Sequence, residues 1–551
     1  MESDYVIVGA GSAGCVLANR LSADSDLKVV LLEAGPKDNA LSLKIPSAMA
    51  ANLKGTKHNW AFQGEPEPHL GQRHLQHDRG KTLGGSSSIN GMVYIRGHAR
   101  DFDNWRQSGC DGWAFADVLP YFKRMENYGG GSDSYRGSGG PLHVTRPNPT
   151  DPITRAFLEA GEQAGYPVTE DISGFRQEGF GVFDRTTATG ERWSTARAYL
   201  DPAKSRPNLT VMTACMVHRV VMDNRRATGV EGVDQYGQPV TFTARREVIL
   251  CAGAVGTPHL LMLSGIGSAD HLHEMGIPVV ADRPGVGANL NDHPDFVLKF
   301  HCEKPVSVWP ETRPLRRILA GLRWLVMRDG VGATNHFEAV GCVRSAAGVD
   351  YPDIQLCITP IAMNEGSWEP IPAHAFQIHV GLMRPESRGR ITLRDADPLS
   401  PPRILVNYLS DPRDRNVMRE GIRLVRELVR QRAFDDLCGA EIFPGKEAES
   451  DADLDACLEA AVNTQWHLSG TAKMGRDTDA TAVVDPSGRV HGINALRIVD
   501  ASIMPKVTNG NTNSPTIMIA EKLSDAIRGV PPLPRIDADI WQNPNWDTRQ
   551  R

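Results

Sequence analysis

Three glycines near the start of the sequence have the spacing of a nucleotide-binding turn. An apolar run, residues 5–8, leads directly into Gly9-x-Gly11-x-x-Gly14. In a strand-to-helix turn of this kind Gly9 permits the tight bend, Gly11 leaves space for a pyrophosphate, and Gly14 allows close helix packing. The backbone N–H groups at the start of the helix then bind the phosphates. The spacing therefore predicts a dinucleotide site.

An acidic residue follows at the distance that this motif requires. Glu33 ends the next apolar run, residues 29–32, nineteen residues after Gly14. A carboxylate in that place accepts a hydrogen bond from a ribose hydroxyl and disfavours the additional phosphate of NADP. A turn that binds nothing is the alternative, but strand, helix pattern and acid together favour NAD or FAD.

A second glycine-rich segment bears on the choice between these two dinucleotides. Residues 84–88 are five small residues in a row within residues 80–92. Such a run cannot build a core, but it lets backbone N–H groups press against a flat ring and a phosphate. Residues 80–103 resemble the first signature of the glucose-methanol-choline (GMC) oxidoreductases.

Further blocks carry the same resemblance in the same order. Residues 253–267 resemble the second signature of the family, and residues 498–505 and 510–521 resemble its C-terminal block. The resemblance extends over roughly residues 4–530 and implies FAD rather than NAD. Resemblance to the choline-oxidising members of the family rests on residues 63–68, 304–310, 335–339 and 387–390.

The resemblance and the patterning together imply an α/β protein, α+β overall, with a Rossmann-like FAD-binding domain of GMC type and an antiparallel-sheet substrate domain. At 551 residues the chain exceeds one ordinary core. The apolar run at residues 247–253 predicts a buried parallel strand, and residues 375–383 predict an antiparallel one. The predicted segments are 1–155, 207–294 and 461–530 for the FAD-binding domain, 156–206 and 295–460 for the substrate domain, and 531–551 for a C-terminal tail.

One histidine is identified through the resemblance as the catalytic base. Oxidation of an alcohol by hydride transfer needs a base for the hydroxyl proton. His467, in residues 465–475, matches the catalytic histidine block of the family, and Asn511 matches a position that holds the substrate oxygen there. An amide cannot take the proton, which leaves His467 as the base. A core or surface histidine is the alternative interpretation.

The same resemblance implies which residues contact the cofactor. Ile89 stands where some relatives carry a histidine bound covalently to FAD. Because isoleucine cannot form that bond, we expect non-covalent FAD. The residues expected at the cofactor are Gly9, Gly11, Ser12, Ala13, Gly14, Glu33, Ala34, Gly84, Gly85, Ser88, Asn90, Gly91, Met92, Val93, Val217, Ala252, Gly253, Asp500, Ala501, Asn511 and Thr512.

The substrate is expected to be choline or another short primary alcohol, oxidised to the aldehyde. A trimethylammonium group needs an aromatic face or a carboxylate, for which Trp466 and Glu338 are candidates, with Gln465 beside them. A core tryptophan and a glutamate paired with an arginine are the alternatives. Leu468 and Ser469 differ from the choline-oxidising relatives, which leaves neutral aliphatic alcohols, glycols and hydroxy acids open as substrates.

The electron acceptor is expected to be a quinone or a similar compound. An alcohol oxidase that uses O₂ is the alternative, as is a flavin-binding protein without activity, although the presence of both His467 and Asn511 argues against the latter. The oligomeric state does not follow from the sequence.

Composition excludes several other classes of function. The net charge of −6 does not indicate the positively charged surface that nucleic-acid binding requires. No secretory leader or run of eighteen apolar residues is present, and the nine cysteines have no C-x-x-C pair, so we expect free thiols in a cytoplasmic protein without a metal site. Residues 313–328 predict a basic amphipathic helix that walls the substrate domain, or alternatively contacts the inner face of a membrane.

Overall fold

A mixed β-sheet carries the nucleotide-binding turn. In the computed structural model, which describes residues 1–364 and 366–551, the strand Glu2–Val8 pairs in parallel with Val29–Leu32 and with Pro239–Leu250. All four side chains of Val29–Leu32 are buried, as expected for a parallel strand covered on both faces. The order across the sheet is Leu209–Met212, Val29–Leu32, Glu2–Val8, Pro239–Leu250, Arg226–Val233 and Met216–Asp223, with Leu496–Ile498 pairing beside the end of Pro239–Leu250.

A second, antiparallel sheet matches the expected substrate domain. Its strands, in order, are Cys438–Phe443, Pro294–Cys302, Ala375–Leu382, Ile354–Thr359, Ala339–Val343 and Gly179–Val182. The short strand Asn463–Thr464 also pairs with Pro294–Cys302, although it falls beyond the domain boundary predicted at residue 460. The strand Arg390–Thr392 lies outside this sheet, because it pairs with Arg403–Leu405 in a separate hairpin.

Helices cover both sheets, and small strand pairs connect them. The α-helices are Ser12–Leu21, Met49–Leu53, Ala99–Gln107, Phe115–Met125, Pro152–Gln163, Asp201–Ala203, Gly253–Leu263, Ala269–Glu274, Pro314–Met327, Pro412–Leu428, Asp451–Ala461 and Asn513–Arg528. The remaining strand pairs are Phe62–Gln63 with Gln76–His77, Val93–Tyr94 with Asp184–Arg185, Glu126–Tyr128 with Leu142–Val144, Thr187–Ala188 with Glu191–Arg192, and Ile266–Gly267 with Ala281–Asp282.

The parallel strands of the first sheet end along one edge, and three helices begin there. Ser12–Leu21 follows Glu2–Val8, and Gly253–Leu263 follows Pro239–Leu250. Asn513–Arg528 starts beside Ser12, whose hydroxyl donates to the side-chain amide oxygen of Asn513 at 2.8 Å. In open α/β sheets the carboxyl edge of the strands is where ligands bind.

The helix Pro314–Met327 does not bury its apolar face against the substrate domain, contrary to our leading expectation. Leu315 is 70% exposed and Val326 is 78% exposed, whereas Trp324 is fully buried. Its further exposed apolar side chains are Ile318, Leu319, Leu322, Leu325 and Met327. Within residues 1–364 and 366–551, no helix combines the length and hydropathy needed to cross a membrane.

Candidate active site

A cavity of about 780 Å³ lies between the carboxyl edge of the first sheet and one face of the second. It collects most of the predicted site residues, including His467, Asn511, Trp466 and Gln465. The predicted cofactor residues along it are Gly9, Gly11, Ser12, Ala13, Glu33, Ala34, Asn90, Gly91, Met92, Val93, Val217, Ala252, Gly253, Asp500, Ala501 and Thr512.

The nucleotide-binding turn has the geometry that its glycines predict. Gly9 has φ +100°, and a Cβ atom there would lie 2.5 Å from the Cys251 carbonyl oxygen. A Cβ atom at Gly14 would lie 1.9 Å from the Gly9 carbonyl oxygen, so Gly14 packs the helix rather than lining the cavity. A Cβ atom at Gly11 would meet only the Cys251 oxygen, at 4.0 Å, which leaves open space for a phosphate.

The Glu33 carboxylate has acceptor positions available for the hydroxyl groups of a ribose. The Ala10 and Gly35 N–H groups each donate to one of its carboxylate oxygens at 2.9 Å. Each oxygen keeps a second acceptor position, and the residue lines the cavity. Burial raises the pKa of the Glu33 carboxyl to about 7. The open space at Gly11 and the acceptors of Glu33 fit the diphosphate and ribose of FAD.

The small-residue segment supports the turn more than it lines the cavity. The Gly84 N–H donates to the Ala10 carbonyl oxygen at 2.7 Å, and a Cβ atom at Gly85 would lie 2.7 Å from the Cα atom of Gly11. The Ser88 hydroxyl donates to the Leu83 carbonyl oxygen at 2.7 Å. Gly84, Gly85 and Ser88 therefore support the turn, and Ser86 between them lines the cavity, whereas their contact with the cofactor stays a prediction.

The carboxylate of Asp500 is also engaged by the protein itself. It accepts hydrogen bonds from the Gly253 N–H at 2.9 Å, the Thr257 hydroxyl at 2.6 Å and the Ser502 N–H at 2.8 Å. These bonds fix the start of the helix Gly253–Leu263 against the segment after Leu496–Ile498. Asp500 lines the cavity, but its oxygens serve to hold two elements together.

His467 and Asn511 form a hydrogen-bonded pair that faces the cavity. The Asn511 amide nitrogen lies 3.0 Å from His467 Nε2, and His467 Nδ1 lies 2.9 Å from Nδ1 of His293. Because the amide nitrogen can only donate, Nε2 carries the lone pair and Nδ1 carries the proton, which it donates to His293. This neutral tautomer leaves the Nε2 lone pair directed toward Asn511 and the cavity.

Burial keeps both imidazoles neutral. Desolvation, followed by the nearby His293 and Arg79, lowers the pKa of His467 well below its ordinary value. Burial also lowers the pKa of His293 to about 3. A neutral His467 can accept a proton, which is the condition for a general base.

A buried aspartate positions the backbone around His467. One oxygen of Asp292 accepts the backbone N–H of His467 at 2.6 Å, and the other accepts the hydroxyl groups of Tyr408 and Thr464. Between Thr464 and His467 the chain passes through Trp466, whose φ of +60° is uncommon for a bulky residue. Strained backbone of this kind persists only where its surroundings hold it, and it clusters at functional sites.

Two polar residues of the cavity, Asp295 and His379, escaped the sequence analysis. The Asp295 carboxylate lies 2.7 Å from His379 Nδ1 and accepts a hydrogen bond from the Gln465 amide at 3.1 Å. Both project from strands of the second sheet, and Gln355 and Cys357 lie on the same face. The signal was a polar side chain at alternate positions of apolar strands, with Asp295 only two residues after His293.

The structure places Glu338 outside this cavity, which corrects its assignment to an ammonium cage. Its carboxylate accepts the Thr334 hydroxyl at 2.6 Å and lies 3.3 Å from the Arg185 guanidinium. It lines a second cavity of about 580 Å³ instead. The alternative interpretation, a glutamate paired with an arginine, is therefore the one observed.

Comparison with known proteins identifies the family of the chain. Residues 3–295 and 385–520 match two family models described as GMC oxidoreductase. The chain is 48% identical over 551 residues to proteins named oxygen-dependent choline dehydrogenase from Brucella ovis and Sinorhizobium fredii, with 100% of each chain covered.

Solved structures show the same fold. Pyridoxine 4-oxidase from Mesorbium loti has a TM-score of 0.87 and 30% identity, covering 96% of this chain and 99% of that one. A formate oxidase variant from Aspergillus oryzae RIB40 has a TM-score of 0.88 and 28% identity, covering 96% and 98%. The chain thus belongs to the GMC oxidoreductases and is an FAD-dependent enzyme that oxidises an alcohol.

Proposed function

We propose that the protein oxidises a short primary alcohol to the aldehyde, with His467 as the base and Asn511 as the residue that holds the alcohol oxygen. The observation that carries this proposal is the 3.0 Å contact between His467 Nε2 and the Asn511 amide within the cavity that also contains the nucleotide-binding turn. When bound, FAD supplies the flavin N5 that accepts the hydride.

The roles of the two residues follow from their chemistry. The lone pair on His467 Nε2, which accepts the Asn511 N–H in this structure, takes the hydroxyl proton once the bound alcohol replaces that amide as its donor, while Nδ1–H stays bonded to His293. The Asn511 amide has a second N–H with which to hold the alcohol oxygen. The side-chain amide oxygen of Asn511 is buried and has no hydrogen-bond partner in the described part of the chain, which is consistent with a polar ligand at this place.

The substrate is choline or a similar short alcohol, and neutral alcohols, glycols or hydroxy acids are the second candidate. Choline is supported by the names of relatives 48% identical over the full chain, whereas Leu468 and Ser469 differ from the choline-oxidising pattern. Purified enzyme assayed with choline, 1-butanol, a glycol and a hydroxy acid tests the choice. A kcat/KM for choline below that of the neutral alcohols would select the second candidate.

The electron acceptor is a quinone or O₂. The relatives are named oxygen-dependent and two structural neighbours are oxidases. These names support O₂ as a candidate acceptor. Alcohol-dependent oxygen consumption, measured with and without a soluble quinone, distinguishes an oxidase from a dehydrogenase. If the quinone suppresses oxygen consumption and the alcohol is oxidised faster in its presence, the quinone is the preferred acceptor.

FAD is held without a covalent bond at residue 89. Ile89 lines the cavity and is buried against Leu43 and Leu53, and its side chain contains no nucleophile. Denaturation in acid should therefore release the yellow cofactor into the supernatant. Flavin that stays on the precipitated polypeptide would show attachment at another residue.

The helix Pro314–Met327 binds an anionic lipid surface. Its apolar side chains are exposed, and residues 313–328 contain five arginines and no acidic residue. Such a helix lies in a membrane interface with its apolar face buried and its cations near anionic headgroups. The positive charge of this segment contrasts with the net charge of −6 of the whole chain.

Sedimentation with vesicles tests this contact. The protein should sediment with phosphatidylglycerol vesicles and not with phosphatidylcholine vesicles, and Leu322→Glu with Val326→Glu should abolish sedimentation. Equal binding to both vesicle types, or to neither, would contradict the proposal. A concentration-dependent dimer lost in the double variant would identify a second copy of the chain as the occupant.

A further inference from the structure

Two partly exposed cysteines face each other across neighbouring strands of the second sheet. Cys302 ends the strand Pro294–Cys302, Cys438 begins the edge strand Cys438–Phe443, and the register places the two directly opposite each other. We propose that hydrogen peroxide oxidises this pair to a reversible disulfide that cross-links the second sheet. The inference is independent of the proposed function, because it concerns neither the cavity nor the alcohol.

The hydrogen bonding beside the pair shows that it is of the closely spaced kind. The Glu303 N–H donates to the Leu437 carbonyl oxygen at 3.0 Å, immediately beyond the two cysteines. This bond flanks the pair rather than joining it. In such a non-hydrogen-bonded pair of antiparallel strands the Cα atoms are about 4.5 Å apart and the side chains share one face. A disulfide requires Cα atoms about 4.4–6.8 Å apart, so the pair is within reach of one.

Exposure and register distinguish this pair from the other cysteines. Cys302, Cys438 and Cys457 are partly exposed, whereas the remaining six cysteines are buried. Cys342 and Cys357 also lie on neighbouring strands, but the register does not place them opposite each other. Cys302 and Cys438 therefore combine opposed side chains with access for an oxidant.

Both thiols are weak acids, which determines how fast they react. Burial raises the pKa of the Cys302 thiol to about 11. Burial, and after it the neighbouring Cys302 thiol, raises the pKa of the Cys438 thiol to about 12, and Glu441 and Glu303 act in the same direction. Because the thiolate is the nucleophile, oxidation at neutral pH is slow. The pair therefore responds to sustained rather than brief exposure to peroxide.

The oxidation consumes one molecule of peroxide. The first thiolate attacks the peroxide, the O–O bond breaks, and the sulfur becomes a sulfenic acid while the other oxygen leaves as water. The second thiol then attacks this sulfur, the S–S bond forms, and the sulfenic oxygen leaves as a second water. The two sulfurs together lose two electrons, which reduce the peroxide, and the two thiol protons leave in the water. A dithiol reverses the bond by exchange.

The disulfide closes most of the second sheet into one covalent loop. Residues 302–438 contain the strands Ala339–Val343, Ile354–Thr359 and Ala375–Leu382. A cross-link across so long a segment restricts the unfolded chain and thereby stabilises the folded one. It also ties the edge strand to its neighbour. We therefore expect the oxidised protein to melt at a higher temperature than the reduced protein.

Peptide mapping of the FAD-loaded enzyme tests whether the bond forms. The protein is incubated with hydrogen peroxide at about pH 8.5, where more thiolate is present than at neutral pH, and is then unfolded, alkylated and digested. We expect a peptide pair joined through Cys302 and Cys438, with the nine free thiols reduced to seven and restored by dithiothreitol. Absence of the joined pair in the wild type would overturn the proposal.

Matched serine variants separate this pair from general oxidation. In Cys302→Ser the joined peptides and the reversible thiol loss should both disappear. Cys457→Ser, which alters a partly exposed cysteine of the helix Asp451–Ala461, should lose two thiols as the wild type does. Oxidised wild type should melt about 2 °C or more above Cys302→Ser treated in the same way. Equal thiol loss in wild type and Cys302→Ser, or equal melting temperatures after oxidation, would overturn the proposal. If Cys302→Ser fails to fold, the peptide map of the wild type decides.

Discussion

Replacement of His293 tests the tautomer on which the mechanism depends. In His293→Phe the ring that accepts the His467 Nδ1–H is replaced by one of similar size that cannot accept it. An unsatisfied buried donor costs about 1–3 kcal/mol, and the alternative tautomer would place the proton on Nε2, where it prevents proton acceptance. At about 1.4 kcal/mol per tenfold change in rate, flavin reduction should slow by about 5- to 150-fold.

The matched control is His293→Asn, whose carbonyl oxygen can accept the same hydrogen bond. We expect its rate of flavin reduction to remain within a few-fold of wild type. The assay is anaerobic stopped-flow at saturating alcohol, with FAD content and melting temperature measured for both variants. A His293→Phe variant that reduces flavin at the wild-type rate would refute the assigned tautomer, as would an Asn variant as slow as the Phe variant.

Further predictions concern the cofactor site, the pH dependence and the stability. Gly11→Val should lose FAD because its side chain enters the space left for the pyrophosphate; a folded variant with a full complement of FAD would contradict this. Because burial lowers the pKa of His467, the imidazole stays neutral below pH 6.5, and kcat/KM should not fall there. A fall in kcat/KM with a midpoint above pH 6.5 would contradict this. The pKa of Glu33 is raised in the folded state, so its contribution to stability is present below pH 4.5 and is lost as the pH rises through about 7. The melting temperature of FAD-free Glu33→Gln, relative to that of FAD-free wild type, should therefore rise between pH 5 and pH 8. A difference in melting temperature that does not change with pH would contradict the raised pKa of Glu33.

The local motifs were predictable because their chemistry is encoded in short segments. The spacing of Gly9, Gly11 and Gly14 specifies a turn whose geometry depends on the absence of side chains, and Glu33 follows within the same βαβ unit. His467 and Asn511 were identified by resemblance, and the structure brings both to one cavity. Their pairing with each other follows from two separate loops and could not be read from spacing.

The residues that were missed or misassigned depend on contacts between distant parts of the chain. Asp295 and His379 meet through the register of the second sheet, in which their strands pair antiparallel, and nothing local to either residue indicates the other. Glu338 was assigned by chemistry alone, whereas Thr334 and Arg185 hold it in another cavity. The glycine-rich composition of residues 129–140 is typical of a surface loop, yet Arg136 within them is fully buried among Glu126, Asp171 and Asp184.

The most direct test of the central claim is the rate of flavin reduction in His467→Ala. The account predicts a fall of about 10²- to 10⁴-fold, the usual contribution of a general base, with FAD content and flavin spectrum unchanged. A matched change, His336→Asn, alters a histidine of the second cavity and should leave the rate within a few-fold of wild type. A His467→Ala enzyme that reduces its flavin within a few-fold of the wild-type rate would contradict the assignment of His467 as the base.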